Sequence, residues 1–294
     1  MDWRDLPPLA GLRAFAAFAD TGGVAQAGVA LDVSHAAISQ QLRSLEAHLG
    51  VSLLDRAGRT MHLTAEGDAL AHAALQGFAQ MIEASRTITG ANDTRPLHIT
   101  ATPTFAASWL MPCLPRFRAI APDVNILLNP TPDTVTLEPG GVDIAIRYGT
   151  GPWAGLDNEL WLESPMVVVG APELIAGKQI DSADDLRHLP WLEEFGRSEG
   201  SDWLREHGVS EATTAGFIQV PGNLMLDGAR DGQGIAVTVR AFVEADLQSG
   251  RLVLLAEEER EGAGYHIVTR PGVQRPPLKA FVRWLKRILA EEGA

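Results

Sequence analysis

The sequence predicts two units in series: an all-helical N-terminal unit with a small β-wing and a long trailing helix, and behind it a larger α/β unit. Three observations predict this. At 294 residues the chain exceeds what a single core ordinarily serves, so two or three compact units are expected. Apolar residues recur at helical spacing through most of the first ninety positions. From Leu97 onward, short apolar runs of strand length alternate with helical stretches, the pattern of an α/β fold.

Bulk properties narrow the class. Apolar residues make up 46% of the chain and charged residues 21%, a globular composition. The N-terminus, Met1-Asp2-Trp3-Arg4, lacks a basic segment followed by an apolar run, and no stretch has eighteen uninterrupted apolar residues, so a cytoplasmic location with no membrane insertion is expected. Cys113 is the single cysteine, which rules out an intrachain disulfide and a multi-cysteine metal site. A net charge of −13 would oppose a nucleic-acid partner if it were evenly spread. It is not. Residues 1–65 hold Arg4, Arg13, Arg43, Arg56 and Arg59 against Asp2, Asp5, Asp20, Asp32, Glu46 and Asp55, a net −1, which leaves −12 for the remainder.

The elements follow in order. Leu12, Phe15 and Phe18 give one helix, a small-residue segment from Val24 to Leu31 a second, and Val33, Ile38, Leu42, Leu45 and Leu49 a third. Ala27 and Gly28 permit close helix approach, and Ser34 has the side chain to cap the third helix. Between Val51 and Leu63, Gly58 marks a turn flanked by Arg56 and Arg59, which suits a wing, and Thr64 is a candidate N-cap. From Ala65 to about Thr89, Leu70, Leu75, Phe78, Met81, Ile82 and Ile88 form an apolar stripe with no partner visible in its own segment, which invites dimerisation. Residues 90–94 then read as a hinge.

In the second unit, strands are predicted at Leu97–Ala101, Val124–Leu128, Ile144–Tyr148, Met166–Val169, Ile218–Val220, Ile235–Thr238, Leu252–Leu255 and Tyr265–Val268. A helix is predicted from Ala106 to Ala119, and Leu278, Phe281, Leu285 and Leu289 line the buried face of the last one. Gly232-Gln233-Gly234 lacks the third glycine of a dinucleotide fingerprint and reads as a turn. The eight histidines show no metal-ligand spacing, so neither a metal nor a cofactor is expected.

The run Leu31-Asp32-Val33-Ser34-His35-Ala36-Ala37-Ile38-Ser39-Gln40-Gln41-Leu42-Arg43-Ser44-Leu45-Glu46, with Leu49-Gly50, Leu53-Leu54-Asp55-Arg56-Ala57-Gly58-Arg59, Leu63-Thr64 and Gly67, resembles the DNA-binding signature of LysR-type regulators. The segment Asp143-Ile144-Ala145-Ile146-Arg147-Tyr148-Gly149 with Gly151-Pro152-Trp153 resembles the subgroup related to glycine-cleavage regulators. The resemblance implies a winged helix-turn-helix at residues 1–64, a linker helix and hinge at 65–94, and a periplasmic-binding-protein-like effector domain at 95–294. It further implies two subdomains, I at about 95–166 and 269–294, II at about 167–268, and assembly into dimers or tetramers. Two positions depart from the family: Gly23 and Ala25 stand where hydroxyl residues are common, which removes two contacts to phosphate.

On this reading Ser34, His35, Ser39, Gln40 and Arg43 are candidates to touch double-stranded DNA from the recognition helix, and Arg56 and Arg59 from the wing. Without the motif, the same residues read as an ordinary polar helix face and a solvated arginine pair. For the effector, expected to be a small anion, the candidates are Thr102 and Thr104 at a strand-to-helix junction, Arg147 at a strand end, and Gly222 and Asn223 before a later helix. The alternatives are a simple helix cap for Thr104 and Asn223, and a structural ion-pair partner for Arg147. The expected function is an effector-controlled transcriptional regulator. The competing readings are a cytoplasmic small-molecule binding protein with a degenerate DNA-binding domain, and an enzyme, for which no nucleophile, base and orienting group stand at recognisable spacing.

Overall fold

The structure, a computed structural model, describes residues 2–57, 60–89, 95–209, 215–258 and 262–292, apart from the side chains of residues 3, 56, 57, 60 and 292. The chain divides into two compact units, Met1–Gly90 and Ala91–Ala294.

Unit 1 is built on α1 (Leu9–Thr21), α2 (Val24–Leu31) and α3 (His35–Leu49). Leu12, Phe15 and Phe18 of α1 bury against Ile38, Leu42 and Leu45 of α3, the apolar face that the helical spacing predicts. The α2–α3 turn depends on Gly28, since a Cβ there would lie 2.9 Å from the Val33 carbonyl oxygen. Asp32 ends α2 at φ 53°, and Ser34 Oγ then accepts from Ala37 N at 3.2 Å to cap α3. At the far side of α3, Glu46 Oε1 accepts from the N–H groups of Leu53 and Leu54 at 2.9 and 3.1 Å and so ties the wing to the helix. The wing pairs β1 (Leu54–Ala57) with β2 (Thr60–Leu63), antiparallel from Leu54↔Leu63 to Ala57↔Thr60.

Thr64 caps α4 (Ala65–Ile88) by accepting from Gly67 N at 3.0 Å. The stripe, which has no partner in its own segment, finds one elsewhere in unit 1 for part of its length: Leu70, Ala71 and Phe78 pack on the helical core. Spacing within α4 does not reveal this, because the partner is supplied by α1, fifty residues earlier. Met81, Ile82 and Ile88 remain exposed. Gly58, Arg59 and the expected hinge at 90–94 lie outside the described residues.

Unit 2 contains two five-stranded sheets. In the first, β3 (Leu97–Ala101) runs parallel to β4 (Ile126–Pro130) and to β5 (Ile144–Gly149), whose other edge pairs antiparallel with the late strand Gly264–Thr269. That late strand also pairs antiparallel with β6 (Asp157–Leu162) at the sheet edge. The second sheet begins with β7 (Met166–Gly170), after which come the short helices α7 (Pro172–Ile175) and α8 (Ala183–Leu186). Its remaining strands are β8 (Trp191–Glu194), β9 (Phe217–Val220), β10 (Ile235–Val239) and β11 (Val253–Glu258), in the order β11-β7-β10-β8-β9.

Gly264–Thr269, hereafter β12, corrects one expected boundary. The sequence reading assigned residues up to 268 to subdomain II, but β12 is hydrogen-bonded on both sides by strands of subdomain I, so the chain returns to subdomain I before residue 264. Sequence also missed β6 and β8. The first is a polar edge strand and the second ends in two glutamates, so neither shows a clean period of two.

Around the sheets pack α5 (Pro103–Phe105), continued through a π turn (Ala106–Leu110) into α6 (Met111–Ile120), then α9 (Glu199–Glu206), α10 (Gly222–Arg230), α11 (Glu244–Ser249) and α12 (Pro276–Glu292). Phe105 centres an aromatic cluster, with ring centroids 5.4 Å from Trp109, 5.0 Å from Tyr265 and 5.9 Å from Phe242, the last on the other subdomain.

Candidate functional site

On α3 the buried positions Ile38, Leu42 and Leu45 leave the opposite face to solvent. His35, Gln40 and Arg43 are exposed and Ser39 is half-buried; His35, Ser39 and Arg43 recur every four residues on one side of the helix, with Gln40 beside Ser39. Ser34 sits at the helix start with its oxygen already accepting from Ala37 N, while its hydroxyl hydrogen can still be donated outward. The structure thus groups the five recognition-helix candidates on one surface. Arg56 lies in β1 opposite Met61, one pair from the wing tip. Arg59 is outside the described residues.

Gly23 is the N-cap of α2 and offers no side-chain cap, and Ala25 is exposed in the first turn. A Cβ on Gly23 would meet only the flexible end of Gln26, so the fold does not demand glycine there.

A second site lies in unit 2, where strand ends of the two subdomains converge, the usual position of ligand sites in α/β folds. Subdomain I contributes Thr102, Thr104, Tyr148 and Tyr265, and subdomain II contributes Glu194, Arg197 and Phe242 among others. The space, partly open to solvent, is about 40 Å³, enough for water or a very small group. Glu194 closes α5 against α10. Thr104 Oγ1 donates to Glu194 Oε2 at 2.8 Å and lies 3.2 Å from the Gly222 carbonyl oxygen. A Cβ on Gly222 would come within 2.2 to 2.4 Å of the Glu194 carboxylate, so only glycine lets the carboxylate rest on the start of α10.

Burial pushes the Glu194 carboxyl above its ordinary value, and the Thr104 hydrogen bond opposes this only in part. Its second oxygen, Oε1, is buried without a hydrogen-bond partner. Arg197 turns back beneath it after Gly196, at φ 72°, and gives its Nε–H to Glu199 Oε1 at 2.6 Å. Burial works against the Arg197 charge, but Glu199 outweighs it and the guanidinium stays above its ordinary value. Tyr265 OH lies 3.1 Å from Thr102 Oγ1, and burial raises the phenol, so it stays neutral.

The effector candidates therefore separate. Thr102 and Thr104 border the seam with Glu194, whereas Gly222, which Thr104 and Glu194 touch, and the exposed Asn223 border an outer groove lined also by Glu194, Phe195 and Met111. Neither Thr104 nor Asn223 is a helix cap, those places being taken by Thr102 and Pro221. Arg147 does not border the seam space. Its guanidinium donates to Thr131 O at 2.5 Å and Thr100 Oγ1 at 2.9 Å, and burial lowers it from its ordinary value. Sequence reasoning missed Glu194, Arg197, Phe242 and Tyr265. The acidic pair ending Trp191-Leu192-Glu193-Glu194, with Gly196 after it, is the signal that was there to find.

Among the described residues no group of three or more His, Cys, Asp or Glu side chains is placed to hold a metal ion, and no helix is long and apolar enough to cross a membrane.

A helix-turn-helix with a wing, carried on the same chain as a two-subdomain α/β unit whose polar seam holds a small cavity, defines a class of protein: a DNA-binding regulator with an effector-binding domain. The family described as bacterial regulatory helix-turn-helix protein, lysR family, matches residues 9–68, and the LysR substrate binding domain matches residues 90–290. The chain belongs to the LysR family of transcriptional regulators. It is 40% identical over 287 residues to the AhcY transcriptional activator HvrB of Rhodobacter capsulatus, covering 97% of this chain and 98% of that one. It is 29% identical over 293 residues to the glycine cleavage system transcriptional activator of Escherichia coli K12, covering 98% and 95%. Among solved structures, the effector domain of the regulator AmpR of Pseudomonas aeruginosa is similar, at 29% identity and a TM-score of 0.54, covering 67% of this chain and 95% of that one.

Proposed function

We propose that this regulator binds an inverted-repeat DNA site as a homo-oligomer and changes its action when a small molecule enters the seam between the two subdomains of unit 2. The observation that carries the reading is the seam itself: Thr102, Thr104 and Glu194 border one space there, with one carboxylate oxygen left buried and unpaired. A ligand shifts the assembly only if it binds one arrangement better than another, and DNA then alters ligand affinity by the same factor.

For DNA, the exposed side of α3 supplies the base-reading groups. Gln40 suits adenine and Arg43 guanine through paired hydrogen bonds, Ser34 suits a phosphate at the helix start, and His35 and Ser39 flank them. Arg56 and Arg59 would extend the contact from the wing. Gly23 and Ala25 withdraw two hydroxyl contacts, so several subunits engaging one site supply the affinity that each lacks alone. The exposed second half of α4 supports self-association.

The charges of the seam support a different ligand from the anion expected on Arg147. That guanidinium is held by Thr131 and Thr100, and Arg197 is paired with Glu199. The relatives named as activators favour activation as the output.

The test is fluorescence-anisotropy binding to DNA from upstream of the protein's own gene, with unrelated DNA as competitor and salt varied. Competitor-resistant binding that Arg43→Ala and Arg56→Ala both weaken is the expected result. Binding that neither substitution changes overturns the α3 and wing assignment.

A further inference from the structure

We propose that the seam of unit 2 recognises a small organic cation, a ligand carrying a primary ammonium or guanidinium, through the carboxylate of Glu194; this rests on the seam being the effector site. Glu193, Glu194 and Glu199 line the space, against the single guanidinium of Arg197. Glu193 is satisfied internally, its Oε1 accepting from Ser201 N at 3.0 Å and Ser201 Oγ at 2.9 Å. Glu199 and Arg197 neutralise each other. Glu194 alone is left with an open acceptor: the residue is 7% exposed, Oε2 takes the Thr104 hydroxyl, and Oε1 has no partner.

A buried acceptor left unpaired is destabilising, more so when charged, and a donor arriving with a positive charge removes that cost. The rings beside it suit the same ligand. Tyr148, Tyr265 and Phe242 border the space, with Tyr265 centroids 5.4 Å from each of the other two, and aromatic faces attract cations. A carboxylate ligand would meet the Glu194 charge in a space that Arg147 does not border and where Arg197 is paired with Glu199. The space of about 40 Å³ takes an ammonium head, and a larger ligand requires the lining to give way.

The experiment uses the full-length protein with isotope-labelled methionine methyl groups, because Met166 and Met225 border the space and Met111 does not. The probes are n-butylammonium, n-butylguanidinium, butyramide and butyrate, titrated separately. The expected result is saturable shifts of the Met166 and Met225 signals with the two cations and little change at Met111. Glu194→Gln is expected to weaken this at least ten-fold, Glu194→Asp to retain part of it, and Glu173→Gln, a surface charge control, to leave it unchanged. Circular dichroism establishes that each variant is folded. Butyrate or butyramide shifting the two methionines as strongly as the cations overturns the cation assignment and leaves the seam as the effector site. Cation shifts that survive Glu194→Gln overturn the role of Glu194. If no probe moves either methionine, both the cation assignment and the seam reading fall.

Discussion

Thr104 Oγ1 donates a 2.8 Å hydrogen bond to Oε2 of Glu194, joining the first turn of α5 in subdomain I to the end of β8 in subdomain II. The two groups are ninety residues apart in sequence and form one of the polar links across the seam. Removing the donor with Thr104→Val is expected to destabilise the full-length protein by about 1–3 kcal/mol, since a buried carboxylate loses its hydrogen bond. Urea denaturation followed by tryptophan fluorescence measures it, and an unchanged midpoint would show that the link carries no weight.

Glu194 also predicts a pH dependence with a definite sign. Its carboxyl is raised above the unfolded value by burial, so the folded state holds its proton more tightly than the unfolded chain does. The associated stability is fully present below the unfolded glutamate value and is lost as pH rises through the folded one. Glu194→Gln is therefore expected to gain stability relative to wild type as pH is raised from about 4. Paired thermal melts across pH 4 to 8 read the difference, and parallel curves would contradict it.

Gly222 lets the carboxylate lie on the start of α10, with no room for a Cβ. Gly222→Ala is expected to expel the Glu194 side chain at a cost of about 1–3 kcal/mol. In the same methionine-methyl titration it is expected to abolish the cation response, whereas Gly208→Ala, where a Cβ meets open space, is expected to preserve it despite a strained positive φ.

Asp143 and Arg275 form a buried ion pair, with side chains 2% exposed and Arg275 donating at 3.0 and 2.5 Å. Arg275 also donates to the carbonyls of Arg95 and Pro96, and Arg95 bonds Asp143 at 2.5 Å, so the first described residues of unit 2 are fastened to the segment before α12. Arg275→Met alone is expected to cost about 1–3 kcal/mol, because Arg95 and the His98 N–H still hold the buried carboxylate, while Asp143→Leu with Arg275→Met is expected to cost less than the sum. A double-mutant cycle by denaturation decides between coupling and additivity.

On α3, Arg43→Ala is expected to lose about 1–3 kcal/mol of binding to the specific site and to relax base preference at one position. Gly23→Ser, which adds a hydroxyl at an α2 start that tolerates a Cβ, is expected to strengthen binding several-fold while leaving its salt dependence unchanged, since a neutral hydroxyl releases no counterion. Anisotropy titrations at several salt concentrations test both, and a flat response to Gly23→Ser would mean that no phosphate lies within reach.

Local signals in the sequence determined the elements that rest on local chemistry. Ser34 and Thr64 cap the helices they were expected to cap, Ile38, Leu42 and Leu45 are buried as their spacing requires, and the LysR signature locates α3 and the wing. These follow from hydrogen bonds three residues long and from the helical period, which the chain carries wherever it goes. What only the tertiary structure decided depends on residues far apart. The membership of β12 in the first sheet comes from strands over one hundred residues earlier, and the first half of α4 finds its partner in α1. The hydrogen bonds of Arg147 go to Thr131 and Thr100, and the open carboxylate oxygen of the seam belongs to Glu194, at the end of a strand with no alternating pattern. Burial and pairing are properties of a place in the fold, and a sequence read in windows contains neither.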